Sequence, residues 1–413
     1  MSELAWIILP VLGLAAVQAL FLWVAAYENC RFFRRQICSE VVGEFTPVVR
    51  LIVPCKGVEP RFDDTVRGLL IQDFPHYGIT FVVESPRDPA YHRLNQLLLE
   101  SHDCPARVIA AGESRGCGQK VHNLLAATAR LPAEVEVLAF ADSDAVPDAA
   151  WLRRLIYPLH DARRGAVTGY RWFVPAAGNW PGTVLTAMNA SIAMLCGNHP
   201  WNCIWGGSWA IRRPLFERLL DEGDWDGALT EDLPATRLVR RYGLRVAYAP
   251  GCLVASPIEC SWWWLLSFGR RQYLLARVYM PGLWWMLGLT ALLGQAAFWG
   301  GLAALAFCDF GRWSTLVVAL VGGLYLSESA RAVLRQRTAA LRFPLRRRGA
   351  RLAALLDIVA HPLLNLGQLA VIASSCGNEV TWRGIRYRLH GPHRTEVLSR
   401  PAADGSRNVA AAA

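Results

Sequence analysis

The sequence predicts an α/β domain with a mostly parallel sheet, joined to transmembrane and interfacial helices. Three observations carry that prediction. Strand-like apolar runs alternate with helical runs between residues 48 and 260. Long charge-free stretches flank that region. The 413-residue chain is 53% hydrophobic yet 18% charged, with a mean hydropathy of +0.23. That balance is too apolar for an ordinary soluble enzyme and too charged for a bare membrane bundle.

Residues 1–30 form the first element. Residues 5–27 carry no charge, and at about 1.5 Å per residue such a run crosses a ~30 Å hydrocarbon layer. A cleaved signal peptide has a shorter apolar part and a small-residue cleavage site. Here Glu28, Arg31, Arg34 and Arg35 follow instead. A retained anchor with its carboxyl end in the cytoplasm is expected.

Residues 48–260 make the second element. "VVRLIVP", "ITFVVE", "VEVLAFAD" and "GAVTGYRW" read as strands, and "TVRGLLIQ", "AYHRLNQLLLES" and "KVHNLLAATARL" as helices. The first two strands and their helices form βαβ units, which place helices on both faces of the sheet. A domain of this length buries a sizeable core.

Residues 261–281 mix tryptophans with Arg270, Arg271 and Arg277, as in a helix lying in the membrane interface. Residues 282–376 form a second membrane region. Within it 282–307 should span, and 314–327 is short but extendable to Leu334. Residues 352–375 are apolar but carry Asp357, His361, Pro362, Asn365 and Gln368. The arginine-rich loop from Arg331 to Arg351 and the basic tail 377–413 both favour the cytoplasmic side. Residues 352–375 are therefore expected to be re-entrant or a hairpin broken at Pro362. The tail ends in "NVAAAA", expected to be disordered.

The formal charge of +10 comes mostly from arginines beside apolar runs. That distribution fits a membrane surface as partner and not a nucleic acid. Eleven cysteines include no CxxC pair. This argues against a zinc site or disulfide framework and for a reducing, cytoplasmic setting.

The chemistry centres on "FADSDAVPD", Phe140 to Asp148. Asp142 and Asp144 stand at the end of an apolar strand, where open α/β sheets bind ligands. Two hard carboxylates there suit Mg²⁺ or Mn²⁺ shared with a substrate diphosphate. On spacing alone a solvated turn competes well with that reading. Glu231 and Asp232 open a helical pattern in "ALTEDLPATRLVRRYG", where a helix cap is the plain alternative. They lie downstream of "WGGSWAIRR", whose two glycines allow close backbone approach to a substrate. Arg270, Arg271 and Gln272 offer cations and an amide for phosphate, or anchors for the interface.

These motifs together resemble the GT-A-type, family-2-like glycosyltransferases, and more narrowly the ceramide glucosyltransferase family. "PCKGVEP", "DFPHYGITFVVESPRDPA", "GQKVHNLL", "DSD", "TED", His199-Pro200 and the terminal "VTWRGIRYRL" carry the resemblance, over residues 48–282 and 380–390. Two features depart from the family. Glu84 or Asp88 stands where the first acid is usually aspartate. The QxxRW-like motif survives only as "RRQY", with Arg271 best placed for its arginine.

The resemblance implies a GT-A-type nucleotide-sugar-binding domain that takes a UDP-sugar, with glucose favoured. It places Pro54, Cys55, Lys56, Glu84, Lys120, Asp142, Arg271 and Gln272 at the donor. It gives Asp144 to a divalent metal, with Asp142 beside it, and makes Asp232 the general base of an inverting transfer. The acceptor is expected to be a lipid hydroxyl in the bilayer, such as that of ceramide. His199, Glu231 and Trp209 fall on the acceptor side, although Trp201, Trp205 and Trp209 suit an apolar core equally. Hopanoid, sterol or diacylglycerol glycosyltransferases fit nearly as well. A processive polysaccharide synthase needs more spans and an intact QxxRW. A catalytically dead nucleotide-sugar or lipid binder has no need for both DSD and TED.

Overall fold

The protein, as a computed structural model, is described at residues 3–38, 44–100, 104–308 and 310–401. Two compact units emerge. A sheet unit comprises Arg35–Trp172, Asn198–Pro257 and the chain from Asn378 onward. A helical unit comprises the chain up to Arg34, Phe173–Gly197 and Ile258–Gly377. The segment 173–197 thus leaves the 48–260 domain expected from the sequence. Its helix is uncharged and mostly apolar, and packs with other helices.

The chain opens with α1 (Glu3–Cys38), then β1 (Val49–Pro54), α2 (Phe62–Leu70), β2 (Tyr77–Val83), α3 (Pro89–Leu99) and β3 (Ala106–Ala110). Next come α4 (Gln119–Thr128), β4 (Val137–Ala141), α5 (Trp151–Ile156), β5 (Arg164–Pro175) and α6 (Trp180–Ala193). β6 (Ser208–Arg212), α7 (Arg213–Asp221), α8 (Asp232–Arg241) and β7 (Arg245–Ile258) complete the large sheet and its helices. Its strand order is β3-β2-β1-β4-β6-β5-β7. β1 pairs in parallel with β2 and β4, and β2 with β3. β6 runs antiparallel to β4 and β5.

β1 is covered on both faces, which is why its sequence is a continuous apolar run: Leu51, Ile52 and Val53 are all fully buried. One core joins Leu51, Val53, Phe62, Phe81 and Trp151. The other joins Ile52, Val82, Phe140, Trp209, Phe216 and Trp225. α3 starts where Asp88 accepts a hydrogen bond from the Ala90 N–H at 2.8 Å, with Pro89 at its first position. From β1 the chain moves to β2 and β3, then returns across β1 to β4. The order reverses there, and the carboxyl ends of β1 and β4 flank the crevice where such sheets bind ligands.

In the helical unit, α9 (Trp262–Tyr279) precedes α10 (Pro281–Phe307) and α11 (Ser314–Ala339). α1, α10 and α11 are long and apolar enough to cross a membrane. They share a core of Leu12, Ala15, Ala297, Ala304, Val317 and Val321. A methyl group on Gly301 would sit 2.5 Å from Val321, so a small residue sets that close approach. α11 runs on to Ala339, so Arg331 and Arg335, expected in a loop, lie within a helix. Both pair with Glu328, and Arg335 also pairs with Asp357.

α12 (Arg348–Val359) and α13 (His361–Ser374) meet at an 88° bend. The break falls at Ala360, two residues before the Pro362 expected from the sequence, and Pro362 instead sits in the first turn of α13. Arg270 and Arg277 donate to the carbonyls of Ser374 and Ser375, each at 3.0 Å. These cations close the exposed carbonyl end of α13.

The segment read as a basic tail is folded over Glu379–Ser399. β8 (Glu379–Trp382), β9 (Ile385–Gly391) and β10 (Arg394–Ser399) form an antiparallel sheet in the order β10-β9-β8. In β9, Ile385, Tyr387 and Leu389 are buried while Arg386, Arg388 and His390 face outward. The outward arginines read as a solvated tail, whereas the inward residues anchor the sheet. The terminal "NVAAAA" lies outside the described residues.

Candidate active site

Five charged groups line up at the carboxyl end of β4. The Lys120 Nζ, on the first turn of α4, lies 2.7 Å from Asp142 Oδ1 and 2.6 Å from Glu231 Oε1. Arg171 on β5 places Nη2 3.1 Å from Asp142 Oδ2 and Nη1 3.6 Å from Asp144 Oδ2. Asp232 follows Glu231 and opens α8. It accepts from the Gly206 N–H at 3.1 Å, the Thr230 hydroxyl at 2.7 Å and the Leu233 N–H at 2.8 Å. Gly206 O also accepts from Lys120 at 3.3 Å. The sequence-predicted acids of DSD and TED are thus brought into one constellation.

The two glycines of "WGGS" are steric necessities. A Cβ at Gly206 would lie 1.9 Å from Glu231 Oε1. One at Gly207 would lie 2.2 Å from the Trp205 ring and 2.6 Å from Asp142 Oδ2. Trp205 in turn stacks under the Arg171 guanidinium, 4.8 Å from its ring centre.

Electrostatics sorts these groups. Burial works against charge on Lys120, but Asp142 and Glu231 outweigh it and raise its pKa. Burial works against charge on Asp142 too, and Lys120 followed by Arg171 overcomes it, lowering that carboxyl. Glu231 differs. It is 1% exposed, and burial pushes its carboxyl up to about 7 despite Lys120. Its Oε2 has no hydrogen-bond partner. Glu231, expected on the acceptor side, is thereby corrected to a buried support beneath Lys120.

Asp144 Oδ1 is also buried without a hydrogen-bond partner. An orphaned carboxylate oxygen beside Asp142 fits a hard divalent cation. Among the described residues no group of three or more His, Cys, Asp or Glu side chains would cage a metal. The donor set therefore suits a cation that takes its remaining ligands from water and a substrate diphosphate.

At the end of β1, the Lys56 Nζ lies 3.0 Å from Glu84 Oε2. Of the two candidate acids, Glu84 faces this ion pair, whereas Asp88 caps α3 and accepts from the Gly57 N–H at 2.8 Å. Pro54 ends β1 half-buried. Cys55 is 2% exposed, and burial pushes its thiol well up. Its side chain packs into the core with Leu51, Val53 and Phe62, which corrects the side-chain donor contact expected of it.

Trp209 is corrected as well. It is fully buried and stacked 4.2 Å from Phe140, its cross-strand partner in β4, so it is core and not acceptor surface. His199 is half-buried in the turn before "WGGS", where Nδ1 accepts from the Trp201 N–H at 3.2 Å. Arg271 and Gln272 belong to α9 of the helical unit. Arg271 is buried with its guanidinium 5.4 Å from the Phe268 ring centre, and Gln272 is exposed.

Sequence reasoning missed Arg171. Arg171 had a visible signal, a lone charge inside the strand "GAVTGYRW". The chain's only two lysines, Lys56 and Lys120, also both stand here, although Lys and Arg together number 43. Every other long cation is arginine, so compact ammonium groups were marked by composition alone.

Residues 7–394 match the family described as Glycosyl transferase family 21. An 86-residue stretch, 20% of the chain, is 30% identical to a ceramide glucosyltransferase of Gibberella zeae, and spans 16% of that protein's length. Among solved structures, a mannosyltransferase from Pyrobaculum calidifontis in complex with GDP-Man and Mn²⁺ is 17% identical. That alignment has a TM-score of 0.45 and covers 88% of this chain and 97% of that one. Glucosyl-3-phosphoglycerate synthase from Mycobacterium tuberculosis, with Mn²⁺ and UDP-glucose, is 15% identical. Its TM-score is 0.36 over 56% of this chain and 78% of that one. With the family match running through nearly all its length, the chain belongs to glycosyltransferase family 21, its α/β domain joined to apolar helices.

Proposed function

We propose that the protein transfers a sugar, glucose in the first instance, from a UDP-sugar to the hydroxyl of a membrane lipid such as ceramide. The observation that carries this reading is the unbroken line Asp144–Arg171–Asp142–Lys120–Glu231, with Asp232 next in the chain. It joins a cation-ready carboxylate to a partly accessible one that sits beside backbone donors. The apolar helices supply the membrane setting for a lipid acceptor, and the arginine distribution favours a catalytic domain facing the cytoplasm.

In this reading Asp232 takes the proton of the acceptor hydroxyl as that oxygen attacks the anomeric carbon. The bond from that carbon to the diphosphate breaks, and the nucleoside diphosphate leaves. One carboxylate acting as base, with no second one as nucleophile, gives inversion. Asp144 would hold the divalent cation through Oδ1, next to Asp142. When bound, Mg²⁺ or Mn²⁺ would neutralise charge on the departing diphosphate. Lys120 and Arg171 hold Asp142 in place. Pro54, Lys56 and Glu84 face the nucleotide. Arg271 and Gln272 keep a donor role, and His199 an acceptor role, on the resemblance alone.

The test incubates membranes holding the protein with labelled UDP-sugars and identifies the lipid product by mass spectrometry. A glucosylated ceramide supports the reading, and a sugar on a sterol, hopanoid or diacylglycerol redirects the acceptor. Asp232→Asn should lower turnover by about 10²–10⁴-fold with donor binding retained. Full turnover in that variant removes Asp232 from the base role.

A further inference from the structure

The C-terminal sheet is fastened to the sheet unit at several points around the donor end of the site. Tyr387 Oη accepts from the Gln119 N–H, at the start of α4, at 3.2 Å. The Arg400 Nη1 donates to Glu84 Oε1 at 2.6 Å, and Nη2 donates to Ser114 O at 2.6 Å and Gln119 Oε1 at 3.0 Å. The Thr395 hydroxyl donates to Gly227 O at 2.7 Å. Gly227 itself has no room for a Cβ, which would lie 2.1 Å from His393 O.

The β8–β9 turn is Arg383-Gly384, between the paired residues Trp382 and Ile385. Both turn residues have positive φ, 52° and 79°. Two-residue hairpins demand this backbone, but asparagine or glycine adopts it at lower cost than arginine. Arginine at this position points to a use for its side chain. That side chain is ion-paired with Glu59, in the loop after β1. Its side chain as a whole remains 36% exposed. Its positive charge also acts on Asp144 and Asp142.

We propose that Arg383, carried on the hairpin turn to Glu59 in the loop after β1, binds the diphosphate of the nucleotide donor and holds it as it departs. This deepens the donor reading above and rests on it. A guanidinium fork suits two phosphate oxygens at once. Glu59 then serves as the resting partner that the diphosphate displaces. The C-terminal sheet becomes part of the donor site, with Arg400 bracing Glu84 beside it.

The experiment measures calorimetric binding of UDP and UMP, at fixed Mn²⁺, to the full chain in detergent. In Arg383→Gln, UDP should bind about 10–100-fold more weakly, while UMP changes by less than about threefold. Arg383→Lys should fall between and supplies the test where the Gln variant does not fold. Glu59→Gln, which frees the guanidinium, should bind UDP at least as tightly as the wild type. Arg386→Gln, on the outer face of the same hairpin, should change neither ligand. Unchanged UDP binding in both Arg383 variants overturns the assignment. Equal losses of UDP and UMP also overturn it, because they mark a prop for the fold. A wild type that binds no UDP sinks the donor reading, and this inference with it.

Discussion

Glu231 is the least comfortable residue of the site. Its Oε1 meets Lys120, its Oε2 meets nothing, and burial lifts its carboxyl from 4.5 to about 7. A folded-state pKa above the unfolded one means that the native state holds the proton more tightly. The native state is therefore favoured most below pH 4.5 and loses that advantage as pH rises towards 7. Glu231→Gln keeps an acceptor for Lys120 and removes the ionisation. The melting temperature of the variant relative to wild type should thus climb between pH 5 and pH 8, by the equivalent of at most about 3 kcal/mol. A gap that does not move with pH would show that Glu231 carries its charge without penalty. The neighbouring acids Asp142, Asp144 and Asp232 were legible because DSD and TED are short local strings. Arg400 was not, since its partner Glu84 lies 316 positions away and only folding joins them.

Among elements, the "WGGS" loop between α6 and β6 sets the geometry of all the charged groups. Gly207→Ala forces a methyl group against Trp205 and Asp142 Oδ2. Overpacking of this kind costs about 1–3 kcal/mol, and here it also pushes Asp142 away from Lys120 and Arg171. Donor KM should rise and the melting temperature fall. Gly116→Ala, where a Cβ meets nothing within 4 Å, should alter stability by less than about 0.5 kcal/mol. Kinetic parallels between the two alanine variants would remove the steric argument. Strands β1, β2 and β4 could be read directly from the sequence, because strands buried on both faces are unbroken apolar runs. β8–β10 escaped, although "IRYRL" alternates with period two. Its outward arginines dominated the composition, and composition argued for a solvated tail.

At the scale of the molecule, the C-terminal sheet predicts a path of the chain through the membrane. Pro257 and Asn378 both belong to the sheet unit, and one compact unit lies on one side of a bilayer. The segment between them must therefore cross an even number of times. α10 and α11 are long and apolar enough for two crossings. The bent pair α12–α13 is then expected to add none, entering and leaving from the same side. This gives a physical reason for the break before His361-Pro362, beside the arginine distribution, which had already argued against a full crossing by residues 352–375. The natural cysteines report on it. Cys308 follows α10, and the exposed Cys376 follows α13. Variants retaining one or the other should react with a membrane-impermeant maleimide from opposite sides of sealed vesicles, Cys376 from the face that carries the catalytic domain. Labelling of both from one side would mean that α12–α13 spans, and the C-terminal sheet would then be stranded away from Glu84 and Gln119.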